Sequence, residues 1–274
     1  MLRSAHGACR AEGSAGADSE PATRHVLSVR RTCALSSLSR NPPSSITGAL
    51  SCIRWSHRGG VTRLVQVDKG GAAVARVFIT GSSDGLGLVA AKLLIEQGHE
   101  VVLHGRNEGR SRDALRAAAG AQGAVCGDLS TIAGATTVAG EANKFGRFDA
   151  VIHNAGIGSR EPRRVETEPR VPSIFMVNVL APYILTALIE RPDRLVYVSS
   201  GMHHGVRLRI DDLLWNKRAW SGWTAYAESK LCDVLLAFAV ARRWKNVRSN
   251  ALEPGWVPTK MGALQLRAIF VRGL

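Results

Sequence analysis

From Ala75 onward, short β-branched apolar runs alternate with stretches whose apolar residues recur every three or four positions. The first pattern predicts buried strands and the second amphipathic helices. ARVFIT (Ala75 to Thr80) is the first strand. The helix after it places Leu86, Val89, Ala90, Leu93 and Leu94 on one predicted face and closes at Gly98. EVVL (Glu100 to Leu103) is the second strand, a polar helix spans 108–119, and AVCGDLS (Ala124 to Ser130) carries a third strand closing on Asp128. Phe148 to Ile152 is the fourth. Residues 171–189 then read as a helix, RLVYV (Arg194 to Val198) as the fifth strand, and 223–243 as a long helix with Leu231, Val234, Leu235 and Phe238 at core spacing. Asn246 to Leu252 is the sixth strand. Strands and helices alternating in this way predict an α/β fold, a parallel sheet with helices on both faces.

Chemistry gathers at the predicted C-terminal ends of these strands, where open parallel sheets place their ligands. GSSDGLG (Gly81 to Gly87) lies between the first strand and its helix. Gly81 permits the tight turn, while Gly85 and Gly87 let backbone approach a pyrophosphate at the positive end of a helix. This predicts a doubly wound, Rossmann-like sheet. About 20 residues further on, such a unit presents an acid for a ribose 2′-hydroxyl or a basic group for a 2′-phosphate. Here Arg106 stands where the acid would be, which favours NADP over NAD; an ordinary solvated arginine is the competing reading. Asp128 is placed either to accept from an adenine amino group or to cap the next helix with Ser130. HNAG (His153 to Gly156) follows the fourth strand, and its small residues allow close approach of a cofactor.

Pro182 has no amide hydrogen for the carbonyl of Asn178, so the helix should kink there. The freed carbonyl needs another donor, water or Lys230 through water, unless the kink serves packing alone. The fifth strand delivers Ser199 and Ser200. In WTAYAESK, Tyr226 and Lys230 are four residues apart and so share one helix face, and an ammonium beside a phenol favours the phenolate. An unassisted phenol, with a pKa near ~10, is a poor base at neutral pH.

Composition adds an appendage. Residues 1–70 are rich in Ser, Arg, Gly and Ala, lack sustained periodicity, and contain NPPSS at Asn41 to Ser45, the composition of a disordered arm. Ten basic residues against four acidic ones give this arm +6 of the +14 total charge. The arm permits mitochondrial targeting, although Glu12, Asp18 and Glu20 are unusual in a transit peptide. Its charge would also suit a nucleic-acid contact, yet no zinc-finger spacing, recognition helix or interleaved aromatics point to a specific one. No apolar run approaches a membrane span. Five cysteines without CxxC spacing fit a reducing, cytoplasmic setting, and no metal site is expected from the eight histidines. The domain expectation is therefore a disordered basic extension over 1–70 and a dinucleotide-binding domain over 71–274.

TGSSDGLG, HNAG, Asn178, VSS (Val198 to Ser200), YAESK and PGWVPT (Pro254 to Thr259) resemble, in order and approximate spacing, the motifs of the short-chain dehydrogenase/reductase family. The resemblance covers about residues 74–262. IDDL before YAESK and the ending PGWVPTKMG resemble most the retinol dehydrogenase and protochlorophyllide reductase-like branch. It implies Tyr226 as acid/base toward the substrate oxygen, Lys230 as its activator and holder of the nicotinamide ribose, Ser200 (Ser199 as fallback) as hydrogen-bond partner of the substrate oxygen, and Asn178 as anchor of a relay water. Gly81, Ser83, Gly85, Leu86 and Gly87 would line the phosphates, Arg106 the adenosine ribose, and Asp128 and Leu129 the adenine. Asn154, Ala155 and Gly156 would line the ribose and nicotinamide, with Pro254, Gly255 and Thr259 near the carboxamide. The implied partners are a small carbonyl or alcohol substrate and a second copy of the chain, paired through helices 171–189 and 223–243.

Two positions depart from the family pattern. His153 stands where the motif usually begins with Asn, and only about a dozen residues follow Gly262, so a last strand and part of a substrate lid are expected to be lacking. The leading function is an NADP-dependent oxidoreductase acting on a carbonyl or secondary alcohol. Its alternative is a non-catalytic dinucleotide-binding or sensing protein with an incomplete substrate pocket.

Overall fold

The computed structural model describes residues 74–255; the expectations for residues 1–70, for Thr259 and for the C-terminal segment lie outside them. In chain order the elements are β1 (Arg76–Ile79), α1 (Gly85–Glu96), β2 (Glu100–Gly105), α2 (Glu108–Ala117), β3 (Gly123–Cys126), α3 (Ile132–Asn143), β4 (Ala150–His153), α4 (residues 173–188), β5 (Arg194–Val198), α5 (Gly222–Arg243) and β6 (Arg248–Leu252). The strands form one sheet in the order β3-β2-β1-β4-β5-β6, every neighbouring pair parallel. This is the doubly wound order, with its switch point between β1 and β4.

Strand alternation sorts the core into two layers. Val77, Ile79, Val101 and Leu103 face Ala91, Ala114 and Ala118 of the α1 and α2 side. Phe78, Val102, Val151, Leu195 and Tyr197 face the other way, onto α3, α4 and α5. Neighbours in sequence therefore serve opposite layers, as the two-residue period of a strand requires.

Four local expectations are corrected. On α1, Val89 and Leu93 are exposed, and the line of contact runs through Gly87 and Ala91. The fully buried residues of the helix are its smallest, while Leu88, Leu94 and Ile95 pack partly buried beside them. On α5, Leu235 and Phe238 are exposed at 47% and 62%, while Tyr226, Glu228, Ser229, Lys230 and Asp233 are buried. A polar stripe can be the inner face because its members pair with one another and with neighbouring elements. The side-chain cap of α3 is Thr131, whose Oγ1 accepts from Gly134 N at 3.0 Å, whereas Asp128 accepts from Ser130 N in a separate turn. Val171 and Pro172 precede α4, in a short antiparallel ladder with Glu166–Glu168.

The kink expected from Pro182 takes a definite form. Within α4, Ser173–Phe175 and Ala181–Leu188 are α-helical, and Met176–Leu180 is a π-turn with Asn178 at its centre. A proline withholds one amide from the helical ladder, and here the helix beside it is re-registered by one residue.

Candidate functional site

At the C-terminal edge of the sheet lies a cleft of about 620 Å³. The glycine loop forms its middle. Gly81 has φ +63°, and a Cβ there would sit 2.8 Å from Ala155 Cα. A Cβ on Gly87 would lie 2.4 Å from Asn154 Nδ2 and 2.6 Å from the Gly81 carbonyl oxygen. Gly87 thus backs the loop, while Gly81, Ser83, Gly85 and Leu86 line the cleft.

The switch point is stitched by side chains. Thr80 Oγ1 accepts from the amides of Asn154 and Ala155, each at 3.0 Å, and Asn154 Nδ2 donates to the carbonyls of Thr80 and Gly81, each at 2.9 Å. Ser82 Oγ donates to Ile79 O and accepts from His104 N. His104, read from sequence only as a strand end, is a linchpin. Its Nδ1 accepts from Gly81 N at 2.9 Å, so the proton resides on Nε2, which donates to Gly127 O at 2.9 Å. Burial lowers its pKa and keeps the ring neutral, as this bonding requires. Arg106 is exposed at the cleft, beside Arg110, which pairs with Asp84 at 3.3 Å. Asp128 and Leu129 line the same end, and Asn154, Ala155 and Gly156 lead toward the other.

That other end brings together Ser200, Tyr226, Lys230, Pro254 and Gly255. Lys230 Nζ stands 5.9 Å from the Tyr226 ring centroid and donates to Val198 O at 2.8 Å and Asp233 Oδ2 at 2.9 Å. The two candidate serines have different surroundings. Ser199 is buried and its Oγ donates to Lys230 O at 2.8 Å, whereas Ser200 is partly exposed and begins a 3-10 turn. Asn178 lies behind the cleft wall. Its Oδ1 accepts from Ile157 N at 2.9 Å, and its Nδ2 donates to Ile157 O and to Ser229 Oγ. A Cβ on Gly156 would be 3.3 Å from Asn178 Oδ1 and 3.7 Å from Lys230 Nζ, so the glycine lets these two groups approach one backbone position.

The connection 201–222 is fastened to α5 by residues that the motif reading did not distinguish. Arg218 donates to both carboxylate oxygens of buried Glu228, at 2.7 and 2.6 Å, and lies 3.6 Å from the centroid of Trp215. Trp220 Nε1 donates to Glu161 O at 2.9 Å. Glu228 is the third residue of YAESK, so this clamp is built into the helix that carries Tyr226. His153 is buried, with Nε2 at 3.1 Å from Thr186 Oγ1, and burial pushes its pKa down to about 3. Among the described residues no three His, Cys, Asp or Glu side chains form a metal-binding group, and no helix is long and apolar enough to cross a membrane.

A dinucleotide fits these residues on the geometry alone. Two glycines admit backbone where a side chain would collide, a helix begins at the loop, and one cleft is lined by Arg106 and by Lys230.

Comparison with known proteins agrees. The short chain dehydrogenase family profile matches residues 75–268. An uncharacterised oxidoreductase of Emericella nidulans is 47% identical over 194 residues, covering 70% of this chain and 73% of the relative. A short-chain dehydrogenase of Gibberella zeae is 41% identical over 191 residues, covering 69% and 73%. A solved structure with bound NADP, assigned as an NAD(P)-dependent gluconate 5-dehydrogenase from Beutenbergia cavernae, superposes with a TM-score of 0.55 at 28% identity, covering 73% of this chain and 78% of that one.

Proposed function

We infer the function from one premise: the chain belongs to the short-chain dehydrogenase/reductase family of NAD(P)-dependent oxidoreductases. We propose that it interconverts a carbonyl and a secondary alcohol with NADP(H), using Tyr226 as acid/base. The observation that carries this is that Ser200, Tyr226 and Lys230 line the same cleft as the glycine loop, with Lys230 Nζ 5.9 Å from the Tyr226 ring centroid.

When bound, the cofactor supplies or accepts the hydride. The protein's share is placement and proton management. Tyr226 gives its hydroxyl proton to the carbonyl oxygen in reduction and takes one from the alcohol in oxidation. Tyr226 lines the cleft that the glycine loop also lines, which supports its reaching a substrate there. Ser200 Oγ donates to the substrate oxygen and orients it. Lys230 supports charge on the phenol and reaches the nicotinamide ribose. The π-turn at Asn178 supports the relay role, since Pro182 leaves its backbone carbonyl without the usual helical donor. Arg106, exposed at the cleft, supports preference for a 2′-phosphate, hence NADP.

Leu129, Asp128, Asn154, Ala155 and Gly156 take the adenine-to-ribose path, and Pro254, Gly255 and Thr259 the carboxamide; Thr259 lies outside the described residues. IDDL and PGWVPTKMG support the retinol dehydrogenase and protochlorophyllide reductase-like branch and an apolar substrate. Exposed Tyr183 and Leu188 on α4, with Trp223, Leu235 and Phe238 on α5, support pairing of two copies through these helices.

The test is Tyr226→Phe, assayed for NADPH binding by fluorescence titration and for carbonyl reduction. Binding should persist while turnover falls by at least 10²-fold, the scale of a lost general acid. Turnover equal to that of the unmutated chain removes the tyrosine from the mechanism. Loss of binding in the unmutated chain removes the dinucleotide.

A further inference from the structure

Lys230 reaches the cleft with its charge already partnered. Of its three donors, one bonds Val198 O at 2.8 Å and one bonds Asp233 Oδ2 at 2.9 Å, leaving one for the cleft. The Lys230 and Asp233 side chains are 7% and 4% exposed. This is a dry ion pair one turn along the helix from the phenol. We propose that Asp233 is the positioning counter-ion of Lys230, fixing where the ammonium sits and offsetting its field at the Tyr226 phenol. The proposal rests on Tyr226 as the acid/base and deepens that reading by naming what sets the strength of its neighbouring cation.

Charge geometry gives the direction. A lone buried ammonium would favour the phenolate strongly, whereas an ammonium paired with a carboxylate presents nearly no net charge a few ångströms away. The other ionisable groups near the pair are themselves neutral or neutralised. On β5, Tyr197 is pushed up to about 12 by burial, with a smaller contribution from Asp233. On α5, burial pushes Cys232 up to about 12, with Asp233 and Glu228 adding to it, and Glu228 is held by Arg218. From β4, His153 lies against Tyr197, the rings tilted by 32° with centroids 4.8 Å apart, and burial keeps it neutral. Asp233 itself is raised to about 6 by burial, against the opposing pull of Lys230 2.9 Å away.

The chain has three tyrosines, which makes the effect readable without turnover. Tyr183→Phe removes the exposed one, and burial pushes Tyr197 up to about 12. In that background, cofactor-free protein is titrated by tyrosinate absorbance, and adding Tyr226→Phe should abolish the remaining transition and so assign it. Asp233→Asn, and separately Asp233→Ser in case the first does not fold, should each move the transition about one unit to lower pH. The pH limb of kcat/KM should move the same way, which lost packing alone would not cause. A transition unmoved in a folded variant overturns the proposal, whatever the turnover. A transition that moves while Tyr226→Phe remains active supports the coupling of Asp233 to the phenol and sinks the catalytic reading instead.

Discussion

Gly87→Ala sets two effects of known size against each other. Gly87 lies inside α1, where alanine is intrinsically better by about 1 kcal/mol. Its Cβ, however, would lie 2.4 Å from Asn154 Nδ2, 2.6 Å from Gly81 O and 3.1 Å from Ser82 Cα. Either Asn154 gives up its bonds to the carbonyls of Thr80 and Gly81, at about 1 kcal/mol each, or the loop shifts at an overpacking cost of about 1–3 kcal/mol. Collision offsets or outweighs propensity, and the net loss should be about 1–2 kcal/mol. For a domain of this size that lowers Tm by about 2–8 °C. The internal control is Gly140→Ala in α3, where nothing lies within 4 Å of the new Cβ. It should gain about 1 kcal/mol and raise Tm by about 2–4 °C. Thermal unfolding followed by circular dichroism reads both, and NADPH titration should show weakened binding for Gly87→Ala alone. If Gly87→Ala unfolds at or above the temperature of the unmutated chain with NADPH affinity intact, the close packing of loop, helix and Asn154 is wrong.

Arg106→Gln should raise the NADPH dissociation constant by about tenfold, the size of one lost charge-assisted contact of about 1.5 kcal/mol, with NADH unaffected; equal effects on the two cofactors would refute 2′-phosphate recognition. Acid stability should depend on His153. Its folded pKa of about 3 lies below the ordinary 6.5, so the unfolded chain binds a proton in that window and the folded chain does not. Stability is whole above pH 6.5 and is lost as pH falls, by up to ~5 kcal/mol from this group. Asp233, raised to about 6, has the opposite sign and returns part of this between pH 6 and 3.8. His153→Asn should therefore flatten the fall in Tm from pH 7 to 5, and an unchanged slope would show that the buried imidazole is not its source.

The sequence by itself determined the order of strands and helices and the glycine loop, because each depends on periodicity or spacing within a few positions. The family motifs nominated Ser200, Tyr226 and Lys230, which line one cleft, and the disturbance at Pro182 was legible because a missing amide is a local fact. Tertiary structure alone decided which face of each helix is inside. On α5 the inner face is polar, and its burial is tolerated only because Lys230 meets Asp233 and Glu228 meets Arg218. Hydropathy assigns the interior to leucines and cannot anticipate such pairing when a partner lies in another element. His104 is the same case, since its role depends on Gly81 and Gly127 arriving at its two nitrogens from other parts of the chain. Local chemistry is written in neighbouring letters; burial of charge is settled only where distant segments meet and exclude water.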